Sequence, residues 1–200
     1  MIIAAHGFKQ SGKDTFGELL VSEYGFQRVA FADKVKTAIH VIFDIPLDLL
    51  HGDEAAKESP TRVRWSDLPG LKPPLDEPAR EYLRVRELMQ VFATEICRKQ
   101  MPDIWCRVAD IQPERNTVVT DVRFANEALY LKGLGALIVK LHRPGAPRGL
   151  HESEAGLAAE LIDHELDNDG TLESFHRKSR ALLRDLGIKP LTSFPEATTA

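Results

Sequence analysis

Hydrophobic and polar positions follow a period that changes repeatedly along this chain. Met1 to Ala5 is a short apolar run, Gly7 to Gly12 interrupts it, and apolar residues return from Asp14 to Tyr24 at Phe16, Leu19, Leu20 and Tyr24. A brief apolar run, glycines, then a helical period predict strand, loop and helix in succession. Gln27 to Ala32 is expected to form a second strand. Asp33 then suits a helix cap, and Val35, Ala38, Ile39, Ile42 and Phe43 share one helical face until Pro46 ends the segment.

From His51 to Pro78 the periodicity dissolves into charged residues scattered with Pro60, Pro69, Pro73, Pro74 and Pro78, which predicts a loop-rich excursion. A long helix is expected over residues 79–100. Val85, Leu88, Met89, Phe92 and Ile96 make its apolar stripe, and Arg86, Gln90, Thr94 and Arg98 make a polar ridge at four-residue spacing. In the second half, Asn116 to Val122 reads as a buried strand ending near Asp121, residues 124–133 as a helix, and Ala136 to Leu141 as another buried strand. His142 to Glu154 is polar and carries Pro144, Gly145, Pro147 and Gly149, as a loop does. A short last strand over Ile162 to Leu166, the turn Asn168 to Thr171 and a helix from Leu172 to Leu186 complete the pattern, with a flexible tail over 191–200. Alternating strands and helices imply an α/β fold, a parallel sheet of about five strands covered by helices on both faces.

Composition narrows the class. A chain of 200 residues, 43% hydrophobic and 28% charged, has room for one domain with a helical insertion. No apolar run approaches the roughly 18 residues of a membrane span, and the first residues lack the charged start of a secretory signal, so a cytoplasmic location is expected. Cys97 and Cys106 are the only thiols and do not form a zinc-type pair. A net charge of −4 argues against a polymeric nucleic-acid partner.

Gly7-Phe8-Lys9-Gln10-Ser11-Gly12-Lys13 fits the frame G-x-x-x-x-G-K between a strand and a helix. Glycines let backbone N–H groups turn inward around phosphate oxygens, the helix N-terminus adds partial positive charge, and the lysine reaches the outer phosphates. The frame normally continues with Ser or Thr as a Mg²⁺ ligand, but Asp14 stands there and Thr15 follows. Asp14 is a candidate ligand for the ion or a helix-capping carboxylate, and Asp121, at a strand end, is a second candidate metal residue. Two like charges 4 Å apart repel by about 4 kcal/mol at an effective dielectric of 20, so a phosphorylated acceptor approaching a triphosphate needs cations. Lys13, Arg86, Arg98, Arg123, Arg143 and Arg148 form the candidate set, with Arg143 and Arg148 in a loop suited to close as a lid. Trp105, Phe31 and Tyr82 are candidates for stacking on a base, with a place in the core as the competing reading.

These residues resemble the bacteriophage deoxynucleoside monophosphate kinases, within the nucleoside monophosphate kinase branch of P-loop proteins. The resemblance rests on GFKQSGKDT at Gly7 to Thr15, Phe31-Ala32-Asp33 with Lys36, the segment Arg86 to Arg98 leading to Pro102-Asp103-Ile104-Trp105, DVRFANE at Asp121 to Glu127, His151 to Glu154, and NDGT at Asn168 to Thr171. It implies a P-loop NTPase three-layer fold in a single domain over 1–190, with an acceptor-binding insertion over about 33–105 and a lid over about 142–155. It also implies in-line phosphoryl transfer from ATP, with Mg²⁺, to a deoxynucleoside 5′-monophosphate. Gly7, Lys9, Ser11, Gly12, Lys13, Asp14, Thr15, Arg148, Asn168 and Gly170 would bind ATP. Asp33, Lys36, Arg86, Gln90, Arg98, Trp105 and Arg123 would bind the acceptor, and Lys13, Asp121, Arg123 and Arg143 would act in the transfer. An isologous homodimer is the default assembly. Kinases of dephospho-coenzyme A or phosphomevalonate share the loop and core, and a nucleotide-dependent switch or a noncatalytic nucleotide-binding domain are the other readings.

Overall fold

The computed structural model describes residues 1–68, 70–146 and 156–191. In chain order the elements are β1 (Ile2–His6), α1 (Lys13–Tyr24), β2 (Gln27–Val29), α2 (Phe31–Phe43), α3 (Leu47–His51), α4 (Glu54–Lys57), β3 (Pro60–Arg64), β4 (Tyr82–Arg84) and α5 (Val85–Gln90). A π-helix (Val91–Arg98) continues α5, followed by α6 (Ile104–Val108), β5 (Thr117–Val122), α7 (Ala125–Gly133), β6 (Leu137–His142), β7 (His164–Asp167) and α8 (Leu172–Asp185). The chain divides into two compact units, one made of residues 1–31 with 109–200 and the other of 32–108.

The first unit is built on a five-stranded parallel sheet in the order β2-β5-β1-β6-β7. Central β1 is apolar up to His6 and fully buried because both of its faces are covered, as parallel sheets require. On one face Ile3 and Ala5 of β1, Val118 of β5, and Val139 and Leu141 of β6 pack with Phe16, Leu19 and Leu20 of α1 and Phe175 and Leu183 of α8. Gly17 lets α1 lie close on β5, since a Cβ there would come within 2.6 Å of Thr120 Cγ2. The other face is covered by α7, whose Ala128 and Leu131 are fully buried. An Arg180 to Glu23 pair joins α8 to α1 through two bonds of 2.6 and 2.7 Å.

The second unit departs from the expected elements. Within the expected loop-rich excursion, residues 51–78 contain α4 and β3, and β3 pairs antiparallel with β4. Thr61, Val63 and Trp65 alternate inward against outward Arg62 and Arg64, a two-residue period that the scattered prolines masked. The helix expected over 79–100 begins only at Val85, because Tyr82 to Arg84 belong to that hairpin. Past Gln90 it widens to a π-helix, in which the Lys99 N–H reaches Thr94 O, five residues back. The four-residue ridge therefore does not survive, and Thr94 is buried.

Two corrections concern the junction after β2. The strand stops at Val29, and α2 starts at Phe31, so Asp33 lies in the first turn of α2 rather than capping it. The Phe31 N–H is instead accepted by Asp121 Oδ1 at 2.9 Å, a residue far away in sequence. Ile42, expected on the buried face of α2, is 60% exposed, while Val35 and Ile39 are buried. No helix among the described residues is long and apolar enough to cross a membrane.

Candidate active site

Four strands of the parallel sheet end at one edge, and each hands on to a residue of the predicted donor site, as expected at the carboxyl edge of such a sheet. After β1 comes the glycine loop, at the end of β5 are Asp121 and Arg123, after β6 comes Arg143, and after β7 comes Asn168. The loop is closed rather than splayed. Lys13 Nζ donates to the carbonyls of Gly7 and Phe8, both at 2.7 Å, and the Ser11 N–H donates to Phe8 O at 3.2 Å. An ammonium over loop carbonyls holds positive charge at the loop's mouth, beside the N-terminus of α1, where an anion is favoured.

Glycine is required twice in this loop. Gly7 has φ +155, and a Cβ there would meet Ser11 Oγ at 2.5 Å and Leu141 O at 2.6 Å. Gly12 has φ +104, and a Cβ there would lie 2.7 Å from Asn168 Nδ2. Gln10 takes φ 61, a left-handed conformation uncommon for a residue with a side chain. The Ser11 hydroxyl turns inward beneath the loop with the residue only 1% exposed. Ser11 is thus placed to offer its backbone rather than its hydroxyl at the loop's mouth.

A cleft of about 240 Å³ opens at the loop, lined by Gln10, Gly12, Lys13, Asp14, Thr15 and Arg143. Arg143 Nη1 reaches Gln10 O at 3.5 Å, which carries the guanidinium over the loop. Asn168 Nδ2 donates to Ser11 O at 3.1 Å, and its own backbone N–H donates to His142 O at 2.7 Å. Lys9 is half-buried in the loop and Gly170 is exposed in the turn before α8. Arg148 falls in 147–155, outside the described residues, as do His151 to Glu154 and most of the expected lid.

At the end of β5, Asp121 is half-buried, with Oδ1 engaged by the Phe31 N–H, and Arg123 is exposed. The turn carrying Arg123 is held by Glu127, a buried carboxylate whose Oε2 accepts the N–H groups of Arg123 at 2.8 Å and Phe124 at 3.1 Å. Glu127 stands three residues after Phe124, the spacing of a helix-start carboxylate, and that spacing is the signal by which its part was legible. His6, at the end of β1, is buried. Leu157 N–H donates to its Nε2 at 3.2 Å, so Nδ1 carries the proton and donates to Val122 O at 2.9 Å. Sequence reasoning assigned neither residue a role.

The candidate acceptor residues other than Arg123 lie in the other unit. Lys36 Nζ is 3.3 Å from His51 Nδ1 and 3.7 Å from Asp33 Oδ1. Gln90 and Arg98 are half-buried, one at the end of α5 and the other at the end of the π-helix. Arg86 is drawn into an internal network, donating to Glu58 at 2.9 Å and Glu54 at 2.6 Å, where it ties α5 to α4. Trp105 is 5% exposed, packs obliquely on Phe92 with centroids 6.3 Å apart, and donates its indole N–H to Ala93 O at 3.1 Å. This base-stacking candidate is thus a core residue, with both its ring and its polar atom engaged internally.

A five-stranded parallel sheet flanked by helices, with a lysine-closed glycine loop at its carboxyl edge, defines an α/β protein of the P-loop fold. Residues 74–179 match the family described as deoxynucleotide monophosphate kinase. The chain is also 30% identical over 194 residues to the "Putative deoxynucleotide monophosphate kinase" of Acanthamoeba polyphaga mimivirus, covering 88% of this chain and 92% of that protein. The chain belongs to the deoxynucleotide monophosphate kinase family, a family of phosphotransferases.

Proposed function

We propose that this enzyme transfers the terminal phosphoryl group of ATP, with Mg²⁺, to the phosphate of a deoxynucleoside 5′-monophosphate. One observation carries the donor half of the reading: Lys13 closes the glycine loop over a cleft that Arg143 also lines. The loop's backbone and Lys13 would cradle the triphosphate. Arg123 and Arg143 would offset the charge that builds up as two phosphates approach, the main demand of phosphoryl transfer. No strong base is needed, because the attacking phosphate oxygen is already anionic.

Hard oxygen ligands suit Mg²⁺, and the ion is commonly held by one or two carboxylates together with phosphates and water. Asp14, exposed at the cleft, would hold it directly or through water, with Asp121 at the end of β5 as the second carboxylate. When bound, the ion would neutralise charge on the transferring group. The acceptor is assigned to the unit over 32–108, with Lys36, Asp33, Gln90 and Arg98 as its contacts. Arg86 and Trp105 serve the architecture of that unit.

The test is a panel of deoxynucleoside and ribonucleoside monophosphates with ATP and Mg²⁺, reading ADP release. The expected result is release that depends on a deoxynucleoside monophosphate. Equal release without any acceptor would replace the kinase with an ATPase switch, and silence across the panel would leave a binding protein.

A further inference from the structure

We infer that Asn168 is a positioning residue that aims the backbone of the glycine loop at the donor phosphates, an inference that rests on the proposed ATP site. The carbonyl of Ser11 can only accept a hydrogen bond, so the side-chain group facing it at 3.1 Å is the amide NH₂ of Asn168. The peptide between Ser11 and Gly12 is planar and trans, so its C=O and N–H point to opposite sides. Holding the Ser11 carbonyl towards Asn168 therefore turns the Gly12 N–H away from Asn168.

Asn168 is well placed for this. It directly follows β7, which is in register with β6 through the His142 and Asp167 pair, and its backbone N–H is fixed by His142 O at 2.7 Å. Three residues further on, Thr171 caps α8 by accepting the Ser174 N–H, so the turn between sheet and helix is pinned at both ends. Gly12 completes the fit, since a Cβ there would lie 2.7 Å from Asn168 Nδ2. The bare α-carbon of Gly12 is what allows the amide to reach the Ser11 carbonyl. The side chain thus serves the phosphate loop.

Two variants test this in the full-length chain. Asn168→Ala removes the donor, and Asn168→Asp keeps the shape and the backbone bond to His142 but sets a carboxylate against a carbonyl. Each is read by the affinity for inorganic tripolyphosphate, by KM for ATP and for the acceptor separately, and by Tm. The expected result is a roughly five- to tenfold loss of tripolyphosphate affinity in Asn168→Ala, the size of one neutral hydrogen bond, with a larger loss in Asn168→Asp. The acceptor KM should stay constant and Tm should stay close to wild type. Wild-type tripolyphosphate binding in both variants would overturn the inference. So would a loss shared equally by donor and acceptor in step with a falling Tm, which would make Asn168 a merely structural residue. Lys13→Ala is the control for the underlying reading: if it too binds tripolyphosphate normally, the loop is not the donor site, whereas its failure beside normal Asn168 variants removes only the inference about Asn168.

Discussion

Glu127 Oε2 accepts the backbone N–H of Arg123 at 2.8 Å, so a buried carboxylate sets the turn from which an exposed arginine leaves the sheet edge. The same oxygen takes the Phe124 N–H, and α7 starts at the next residue. Hydrogen bonds to a charged acceptor contribute about 1.5–3 kcal/mol each. Glu127→Ala should therefore cost on the order of 3 kcal/mol in denaturant unfolding, and phosphoryl transfer should fall further than the loss of folded protein explains. Glu127→Gln, which keeps an acceptor oxygen, should recover more than half of both. Transfer that simply tracks the folded fraction would detach Glu127 from the arrangement of Arg123.

Lys13 closes the glycine loop and lines the cleft proposed to take the triphosphate. Lys13→Ala should remove about 3 to 4 kcal/mol of transition-state stabilisation, two to three powers of ten in rate, as the loss of other single electrostatic contacts does. Stopped assays of ADP formation would measure it. A rate within a few-fold of wild type, in a variant that melts normally, would exclude the loop from the reaction.

Asp14 stands where a hydroxyl residue usually meets the metal. If it holds Mg²⁺, Asp14→Ala should raise the free Mg²⁺ needed for half-maximal activity by roughly tenfold, and Asp14→Ser should recover part of that shift. A Mg²⁺ titration at fixed ATP reads both. Unchanged Mg²⁺ dependence would reduce Asp14 to a favourable charge in the first turn of α1.

The Glu23 and Arg180 pair gives a pH dependence to stability. The hydrogen bonds from Arg180 hold the Glu23 carboxyl below its ordinary value of 4.5. The folded form thus favours the ionised carboxylate, and its contribution is present above about pH 4.5 and is lost as the pH falls through the lower folded value. Both side chains are partly solvated, which limits the contribution to about 0.5 kcal/mol. The difference in urea midpoint between wild type and Glu23→Gln should be visible at pH 7 and shrink progressively as the pH is taken below 4.5. A difference that persists in acid would mean that packing, not charge, joins α1 to α8 at this point.

Trp105 fills the core of the unit over 32–108 and satisfies the Ala93 carbonyl of the π-helix. Trp105→Phe keeps an aromatic ring but leaves that carbonyl without its indole donor, at a cost of about 1–2 kcal/mol. The loss should appear as a lower Tm with acceptor discrimination among bases unchanged. Altered base preference with normal stability would return Trp105 to the acceptor site.

The parallel sheet and the glycine loop were legible in the sequence because each is a local matter. A buried parallel strand is marked by an apolar run, as Ile2 to Ala5 of β1 shows, and a phosphate loop needs glycines where Gly7 and Gly12 must turn. The family motifs extended that reading to Asn168 and Arg123. Tertiary structure decided the rest, where the deciding partner is distant. Asp33 reads as a cap until Asp121, 88 positions on, is seen to take the Phe31 N–H. Arg86 reads as a phosphate ligand until Glu54 and Glu58 are seen to hold it, and Asn168 acquires its bond to Ser11 only when β7 lies in the same sheet as β1. Periodicity records which face of an element is buried, whereas a hydrogen bond depends on where two separate backbones end, and that is a property of the assembled chain.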